Sequence, residues 1–364
     1  MVDHFLPRIG GIELQVRDLA LQLAERGAVP HIITSTPGNI DLAGIKIHRL
    51  PVKLMPGFKI MMQFRAYKYL EEILRREKID LVHAHGSVVS PLAYGSLKVS
   101  HRLHIPAVFT GHSLWEYSTP TFRLLYLLNR GDHWNLTLTA VSQEVAKGLK
   151  KTSPAREIHF LPNAIQPKAW EIQKTPHEGI NFVSVLRLNK KKRVHALLRM
   201  IPKILAKAPP DQRIQFHLIG KGPYENRLHQ ICRSLKIEEH VRFHGYLDRK
   251  EILPVFSSAD IFIHPTKKEA LGIALLEARA AGLPCIALDY GGTKDILTHE
   301  KTGLLAGNDG EMVDHALRLI RDPALRKRLG LQAKADIESF SWDHVLDRLF
   351  EIYQKGLVLE RKAS

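Results

Sequence analysis

Residues 268–278 read Lys-Glu-Ala-Leu-Gly-Ile-Ala-Leu-Leu-Glu-Ala and contain two glutamates, Glu269 and Glu277. The preceding run at 260–265 is apolar and predicts a buried parallel strand. After Gly272 comes a run of good helix formers without a breaker, which predicts a helix. The local order is therefore strand, short loop and helix, with Glu269 in the loop and Glu277 in the second helical turn.

This arrangement suits a ligand that carries both phosphate and hydroxyl groups. The backbone of Leu271, Gly272 and Ile273 can approach an anion, because glycine has no side chain and the first amides of a helix carry the positive end of its dipole. Carboxylates only accept hydrogen bonds and therefore match sugar hydroxyls. A diphosphate at the helix start would leave Glu269 near a sugar and Glu277 near a ribose. For the pair alone, the alternative is an acidic loop residue followed by an ordinary glutamate on a helix surface.

Three further motifs follow the pair: Ala-Gly-Leu-Pro-Cys-Ile-Ala at 281–287, Gly-Gly-Thr-Lys-Asp-Ile-Leu at 291–297 and Lys-Thr-Gly-Leu-Leu at 301–305. Together with the glutamates they resemble glycosyltransferase family 4. The resemblance covers nearly the whole chain and departs mildly at Lys294 and Asp295, where the family usually has proline and glutamate. It implies an α/β chain of the GT-B fold, in which two Rossmann-like domains with doubly wound parallel sheets face each other across a cleft. It also implies a retaining transfer reaction.

Residues 82–90 and 109–114 are similar to those of family members that add mannose or N-acetylglucosamine to phosphatidylinositol. The resemblance therefore implies transfer of a hexose or N-acetylhexosamine from a GDP- or UDP-sugar to a hydroxyl of a lipid or glycan acceptor. Such an enzyme would work in glycolipid or polysaccharide assembly, in the cytoplasm and peripherally at the inner face of the cell membrane. It needs no further cofactor and no metal. Two alternatives remain: the same fold acting on a small soluble acceptor, and a non-catalytic nucleotide-binding Rossmann protein.

Two cations are candidates for the diphosphate grip. Arg187 and Lys192 follow the apolar run 180–186, which predicts a strand. The family has an arginine and a lysine at this spacing, holding the donor diphosphate. Fixed cations stabilise the charge that builds on a departing nucleoside diphosphate. The alternative is a solvated basic loop, which we expect to describe some of the neighbouring Lys190, Lys191 and Arg193.

The remaining site candidates follow predicted strands or begin a helix. Gly10 and Gly11 open the first predicted helix, where they are either an anion site or a tight turn. His112 matches the family histidine that contacts the transferred sugar, although a lone histidine is more often structural. Tyr246 follows the predicted strand 241–245 and is placed to meet the nucleotide base.

The composition limits the classes of ligand and surface that this chain is expected to bind. The 364 residues suffice for two domains, and the net charge is +16, from 53 Lys+Arg against 37 Asp+Glu. Such an excess implies an anionic partner, but no helix-turn-helix, zinc-finger or aromatic RNA-binding signature points to nucleic acid. No Gly-x-Gly-x-x-Gly follows a predicted strand, so nicotinamide binding is not expected. The two cysteines, Cys232 and Cys285, suggest neither a metal cluster nor a disulfide framework. We expect a nucleotide-sugar and an anionic membrane surface as partners.

Strands and helices alternate in both halves, which predicts two doubly wound sheets. We expect an acceptor domain at 1–165, completed by a crossover helix at 341–358, and a nucleotide-sugar donor domain at 166–340. The first strand looks short, because only five residues precede the loop that leads to Gly10. We expect further in-frame apolar residues upstream of Met1.

The stretch 53–68 interleaves cations with large apolar residues. The cations are Lys53, Lys59, Arg65 and Lys68. A basic amphipathic element of this kind suits an anionic membrane face. The alternative is a core helix whose basic positions face solvent.

Overall fold

The computed structural model describes residues 1–52, 66–115 and 133–363, together with Pro120, Arg123, Leu124 and Leu127. It divides into two compact units, one formed by Met1–Ala164 with Trp342–Ser364 and the other by Ile165–Ser341. Most of the predicted membrane element, residues 53–65, lies outside the described residues. Among the helices in the described ranges, none is both long enough and apolar enough to cross a bilayer.

The N-terminal unit is built on parallel strands. These are β1 (His31–Thr34), β2 (Lys46–Arg49), β3 (Val82–Gly86), β4 (Ala107–Gly111), β5 (Leu136–Ala140) and β6 (Ile158–Phe160). They form two ladders, β1-β2 and β3-β4-β5-β6. Val2 joins the ladders, since it forms parallel bridges with both Thr34 and His85. The short first strand predicted from the sequence is thus a single bridging residue.

Helices cover this sheet, at Gly11–Glu25, Ala66–Arg76, Pro91–Arg102, Gln143–Thr152 and Trp342–Ala363. In the first helix Val16, Leu19 and Ala20 are buried, as their helical spacing predicts. The C-terminal helix contributes Leu346 and Leu349 to a core cluster that also holds Leu19. The last helix of the chain therefore belongs to the N-terminal unit, although residues 165–341 separate it from the rest of that unit.

The C-terminal unit holds a six-stranded parallel sheet in the order β12-β11-β10-β7-β8-β9. The strands are β7 (Ile180–Val185), β8 (Ile214–Ile219), β9 (Val241–Gly245), β10 (Ile261–His264), β11 (Cys285–Leu288) and β12 (Leu304–Ala306). From β7 the chain adds β8 and β9 on one side and then returns to add β10, β11 and β12 on the other. The direction of winding therefore reverses between β7 and β10. In open parallel sheets, ligands bind at the carboxyl ends of the strands beside such a reversal.

The helices of this unit are Val194–Lys207, Glu225–Leu235, Arg249–Ser257, Ile273–Ala280, Thr293–Ile296, Asp309–Arg321 and Pro323–Ala335. Short 3₁₀ turns occur at Pro167–Trp170, Lys190–Lys192, Glu238–His240 and Ile337–Phe340. The fully buried Arg279 connects several of these elements, because its guanidinium donates to the carbonyl oxygens of Ile296 and Ala333 and pairs with Asp336. Arg279 thereby anchors the C-terminal turn of helix Ile273–Ala280.

Candidate functional site

A buried charge cluster lies where the winding of the C-terminal sheet reverses. The Lys192 Nζ atom is 2.5 Å from Glu269 Oε2, and His264 Nε2 is 3.2 Å from the same oxygen. His264 is the last residue of β10, and Lys192 ends the turn that follows β7. The side chain of Glu269 is 12% exposed. Two residues predicted from the sequence, Lys192 and Glu269, are therefore brought into direct contact.

Glu269 is held in its ionised form. Burial alone would raise the pKa of this carboxyl, but the hydrogen bond from His264 and the charge of Lys192 outweigh burial and lower the pKa to about 2. A carboxylate in this state accepts hydrogen bonds and cannot act as a general acid near neutral pH. Its chemistry matches the binding of hydroxyl groups.

Two glycines shape the backbone that carries Glu269. The amide of Gly292 donates to the Glu269 carbonyl at 2.9 Å. A Cβ atom on Gly291 would lie 2.3 Å from that carbonyl oxygen, and one on Gly292 would lie 2.0 Å from the carbonyl oxygen of Ala270. Because no side chain fits at either position, the 291–292 turn packs directly against the Glu269 loop and fixes its path.

The loop after β7 is positioned by its own polar groups. The Asn189 side chain accepts a hydrogen bond from the Lys192 amide at 3.0 Å and so caps the turn that presents the lysine. The Arg193 Nη2 atom donates to both carboxylate oxygens of Asp309, at 2.8 and 2.7 Å, so Arg193 is part of the framework and not of a solvated basic loop. Lys190 and Lys191 are exposed, as the solvated-loop alternative predicted.

Arg187 occupies a different environment. It lies two residues beyond β7 and is exposed. Neither a hydrogen bond nor an ion pair of its side chain occurs within the part of the chain that the structure describes. It therefore differs from Lys192, whose ammonium group already has a carboxylate partner, and its guanidinium is available to an anion.

The helix that follows the Glu269 loop begins as the sequence predicts. Gly272 is its N-cap, with a φ of 103°, and makes no side-chain capping bond. Leu271 is buried, whereas Ile273 and Glu277 are half-buried. Glu277 lies in the second turn of Ile273–Ala280, one turn beyond the N-terminal amides of the same helix. The predicted base contact, Tyr246, is 45% exposed and directly follows β9.

The other predicted glycine site belongs to the N-terminal unit. Gly10 is the N-cap of helix Gly11–Glu25. The carboxylate of Glu13 folds back toward it, because a Cβ atom at position 10 would lie 2.4 Å from Glu13 Oε2. Glu13 also pairs with Arg8 at 3.5 Å. The start of this helix is thus complemented by an acidic side chain of its own first turn.

His112 directly follows β4 and lies in a group of neutral histidines with His83 and His85, which belong to β3. Its Nε2 atom is 3.0 Å from His85 Nδ1, and the rings of His83 and His85 are 4.1 Å apart. Burial lowers the pKa of His112 to about 4 and holds the pKa values of His83 and His85 well below their usual range. His112 can therefore offer a neutral imidazole to a ligand at neutral pH.

A chain of hydrogen bonds fixes the tautomer of His83. The Thr139 hydroxyl donates to the Phe109 carbonyl, so the Thr110 hydroxyl, 2.6 Å away, donates to Thr139. Thr110 must then accept from His83 Nε2, at 2.7 Å. His83 Nδ1 is left to accept from the Tyr353 hydroxyl at 2.7 Å. The C-terminal helix thus orients the histidine group through Tyr353.

The sequence did not identify His264 as part of the site. The signal was present, since His264 is the last residue of a buried strand and precedes Glu269 by five positions. Nothing in that spacing, however, specifies that the loop folds back to bring the carboxylate onto the imidazole. The 291–292 turn, which packs on this loop, is also distant from it in sequence.

Comparison with known proteins identifies this arrangement. The family described as "Glycosyltransferase Family 4" matches residues 9–169, and "Glycosyl transferases group 1" matches residues 166–336. Among solved structures, a glycosyltransferase from Rickettsia africae superposes with a TM-score of 0.81 at 18% identity, covering 97% of both chains. Anabaena HepE in complex with UDP and glucose superposes with a TM-score of 0.76 at 17% identity, covering 98% of this chain and 100% of that chain. The predicted family, the GT-B fold and the prediction of an enzyme are thereby confirmed.

Three curated relatives are informative. One is a subunit of the human phosphatidylinositol N-acetylglucosaminyltransferase; it is 27% identical over 81% of this chain, and the match spans 62% of that relative's length. The N-acetyl-alpha-D-glucosaminyl L-malate synthase of Bacillus anthracis is 25% identical, covering 95% of this chain and 94% of the relative. A GDP-mannose-dependent monoacylated alpha-(1-6)-phosphatidylinositol monomannoside mannosyltransferase of Corynebacterium glutamicum is 25% identical and covers 97% of both chains.

Proposed function

We propose that this chain, which belongs to the GT-B glycosyltransferases of family 4, moves a hexose or N-acetylhexosamine from a nucleoside-diphosphate sugar to a lipid hydroxyl with retention of configuration. The C-terminal unit would bind the donor, and the N-terminal unit would bind the acceptor. The observation that carries the proposal is the contact of Lys192 with the ionised Glu269 at the winding reversal of the C-terminal sheet.

At this site the donor would contact both cationic side chains and carboxylates. Arg187 and Lys192 would hold the diphosphate, together with the backbone at Leu271, Gly272 and Ile273. Glu269 would accept hydrogen bonds from the sugar hydroxyls, and Glu277 from the ribose. Lys192 would contact both the Glu269 carboxylate, which binds the sugar, and an oxygen of the departing phosphate.

The proposed chemistry uses these groups as follows. The bond between the anomeric carbon and the phosphate oxygen breaks, and a bond from the acceptor oxygen to the same face of that carbon forms. The acceptor proton passes to the departing phosphate oxygen. Arg187 and Lys192 would stabilise the negative charge that develops there, an effect worth several kcal/mol in comparable sites, roughly 2.7–4 for one donor. Retention and the same-face route follow from the family resemblance.

A lipid acceptor is supported by two features. Two of the relatives named above act on phosphatidylinositol or a phosphatidylinositol monomannoside, according to their names. The net charge of +16 would favour an anionic surface. On this proposal the enzyme works in glycolipid assembly, in the cytoplasm and at the inner face of the cell membrane.

A small soluble acceptor is the second candidate. The relative whose match covers 95% of this chain is named N-acetyl-alpha-D-glucosaminyl L-malate synthase, so its named product joins N-acetylglucosamine to L-malate. The excess positive charge would also attract a hydroxy acid, because such an acceptor is an anion. The two candidates share a donor but differ in the acceptor.

A transfer assay separates them. The purified full chain would be incubated with UDP-N-acetylglucosamine, UDP-glucose or GDP-mannose, each with phosphatidylinositol vesicles or with L-malate. We expect an α-linked product on the lipid, with the anomer assigned by NMR. A product formed only with L-malate would show that the acceptor is the soluble hydroxy acid and not the lipid. A β-linked product would overturn retention of configuration. Lack of transfer and of donor hydrolysis with every donor would overturn the proposed function.

A further inference from the structure

Three side chains of types that can ligate a metal ion meet at the edge of the N-terminal sheet, away from the residues discussed above. His31 begins β1, His48 lies in β2, and Glu77 directly follows helix Ala66–Arg76. The parallel register pairs His31 with Lys46, and His48 lies two positions beyond Lys46. Since alternate residues of a strand point to the same face, His31 and His48 leave the ladder on one side.

The ligand atoms are close enough to share one ion. His31 Nδ1 is 3.0 Å from His48 Nε2 and 3.9 Å from Glu77 Oε2, and all three atoms lie within 4.8 Å of one another. Bonds of about 2.0–2.2 Å in a tetrahedral zinc site place neighbouring ligand atoms roughly 3.3 Å apart. The observed separations lie on either side of that value, so small side-chain movements suffice.

The geometry points to a site for Zn²⁺, or for another divalent ion of the first transition series, held by His31 Nδ1, His48 Nε2 and Glu77 Oε2. Two imidazole nitrogens and one carboxylate oxygen are the donor set that such ions prefer, and three protein ligands leave a fourth position for water. The ion would fasten the two edge strands to the end of helix Ala66–Arg76.

The carboxylate is already oriented for this role. Arg76 Nε donates to Glu77 Oε1 at 2.9 Å, which leaves Oε2 facing the histidines. Hydrogen bonds to the second oxygen of a ligating carboxylate are a common feature of metal sites, because they fix its direction.

Lys46 competes with the ion. Its Nζ atom is 2.6 Å from Glu77 Oε2, the same oxygen that would bind the metal. The Lys46 side chain is 62% exposed and can turn into solvent. Metal binding would therefore displace the ammonium group, and removing that group should strengthen binding.

The chain contains a matched control. In the C-terminal unit His217 Nδ1 is 2.9 Å from His244 Nε2, and these rings are stacked with centroids 5.1 Å apart. The corresponding ring distance for His31 and His48 is 5.3 Å. Within the described ranges, only the first pair has a carboxylate at ligand distance. The two pairs thus separate metal binding from simple contact between histidines.

The experiment is a titration of the metal-free full chain with Co²⁺, followed by visible absorption, and with Zn²⁺, followed by calorimetry. We expect one tight ion per chain, with H48Q and E77Q each weakening binding at least tenfold. K46M should bind several-fold more tightly, and H217Q should bind like the wild-type chain. Circular dichroism verifies that each variant is folded, and H48Q tests the site independently of any disturbance that E77Q causes at Lys46 or Arg76.

Several outcomes would overturn the inference. One is the absence of a stoichiometric ion in the wild-type chain. Others are wild-type affinity in folded H48Q, equal losses in H48Q and H217Q, or weaker binding in K46M. An increase in thermal stability with Zn²⁺ that persists in both E77Q and H48Q would also contradict it, because the ion would then bind elsewhere.

Discussion

At the scale of single residues, the candidate site depends on the sharing of one ammonium group. Lys192 neutralises Glu269 and would also contact the donor phosphate, whereas Arg187 has no other partner in the described part of the chain. Removing Lys192 should therefore have two consequences. It would leave a buried carboxylate without its counter-charge, and it would remove a cation from the leaving group.

We expect Lys192→Ala and Arg187→Ala each to reduce turnover at least about a hundredfold, or about 2.7 kcal/mol of transition-state stabilisation. The matched control is Lys191→Ala, one position away and exposed, which should stay within about twofold of wild type because exposed surface changes have small effects. Turnover would be measured with the donor and acceptor identified by the transfer assay. Near-wild-type turnover in folded Lys192→Ala would remove its proposed role.

The two glutamates should differ in what they bind. Glu277→Ala should weaken binding of the free nucleoside diphosphate by about 1.5–3 kcal/mol, because the ribose loses an ionic acceptor. Glu269→Gln should leave that affinity within a few-fold but impair binding and transfer of the intact sugar donor. Calorimetry with the diphosphate and with the full donor distinguishes these effects. Equal losses for both ligands in both variants contradict the division of roles.

The buried histidines predict a dependence of stability on pH. The pKa of His112 is about 4 in the folded protein, against 6.5 for an ordinary histidine, because burial disfavours the charged ring. The unfolded chain therefore binds the proton more readily, so the free energy of unfolding should be highest above about pH 6.5 and fall as the pH drops toward 4. His112 alone accounts for about 3 kcal/mol, and His83 and His85 act in the same direction.

Denaturant unfolding at several pH values between 7.5 and 4.5 measures this effect. His112→Gln should flatten the dependence of the free energy of unfolding on pH. His104→Gln, at an exposed position, should leave the slope of that dependence unchanged. A slope for His112→Gln that matches the wild-type slope would show that His112 titrates normally in the folded state.

At the scale of elements, the sequence predicted most of the strands and helices that position the candidate site. The apolar run at 260–265 and the helix formers after Gly272 correspond to β10 and to helix Ile273–Ala280, because local pattern and propensity agree there. The sequence also predicted a short first strand, which is the single residue Val2 with its two bridges. By contrast, the contact of His264 with Glu269 and the ion pair of Arg193 with Asp309 join residues whose proximity depends on tertiary packing. No periodicity or spacing encodes such contacts.

The packing of the 291–292 turn on the Glu269 loop can be tested by one added methyl group. Gly292→Ala should destabilise the protein by about 1–3 kcal/mol and reduce donor affinity, because its Cβ would lie 2.0 Å from the Ala270 carbonyl oxygen. Gly356→Ala is the matched control in the C-terminal helix, where the nearest atom would be 3.8 Å away. That variant should gain about 0.5–1 kcal/mol, since alanine favours a helix over glycine. Thermal unfolding and calorimetry would show the opposite signs, and a harmless Gly292→Ala would contradict the role of the turn.

At the scale of the whole molecule, the excess of positive charge remains to be assigned to a partner. Of the predicted basic element, residues 53–68, the structure describes only 66–68, where Ala66 is buried and Lys68 is exposed. These residues begin helix Ala66–Arg76, which buries one face against the N-terminal unit and exposes the other. The distribution of charge, not its total, distinguishes a membrane surface from a soluble anionic substrate.

Binding to lipid vesicles tests that distribution. Each cation near an anionic surface contributes about 1 kcal/mol, and the attraction decays within about 8 Å at physiological salt. Binding should therefore require anionic lipid and fall steeply as salt is added. Changing Lys53, Lys59, Arg65 and Lys68 to glutamine should release the protein while leaving hydrolysis of the soluble donor intact. The matched control removes four exposed cations from the C-terminal unit, Lys203, Lys207, Arg233 and Lys250, and so has the same net charge. If both variants lose binding equally, net charge alone attracts the protein to the vesicles. If the wild-type protein sediments equally with neutral and with anionic vesicles, the soluble acceptor is favoured.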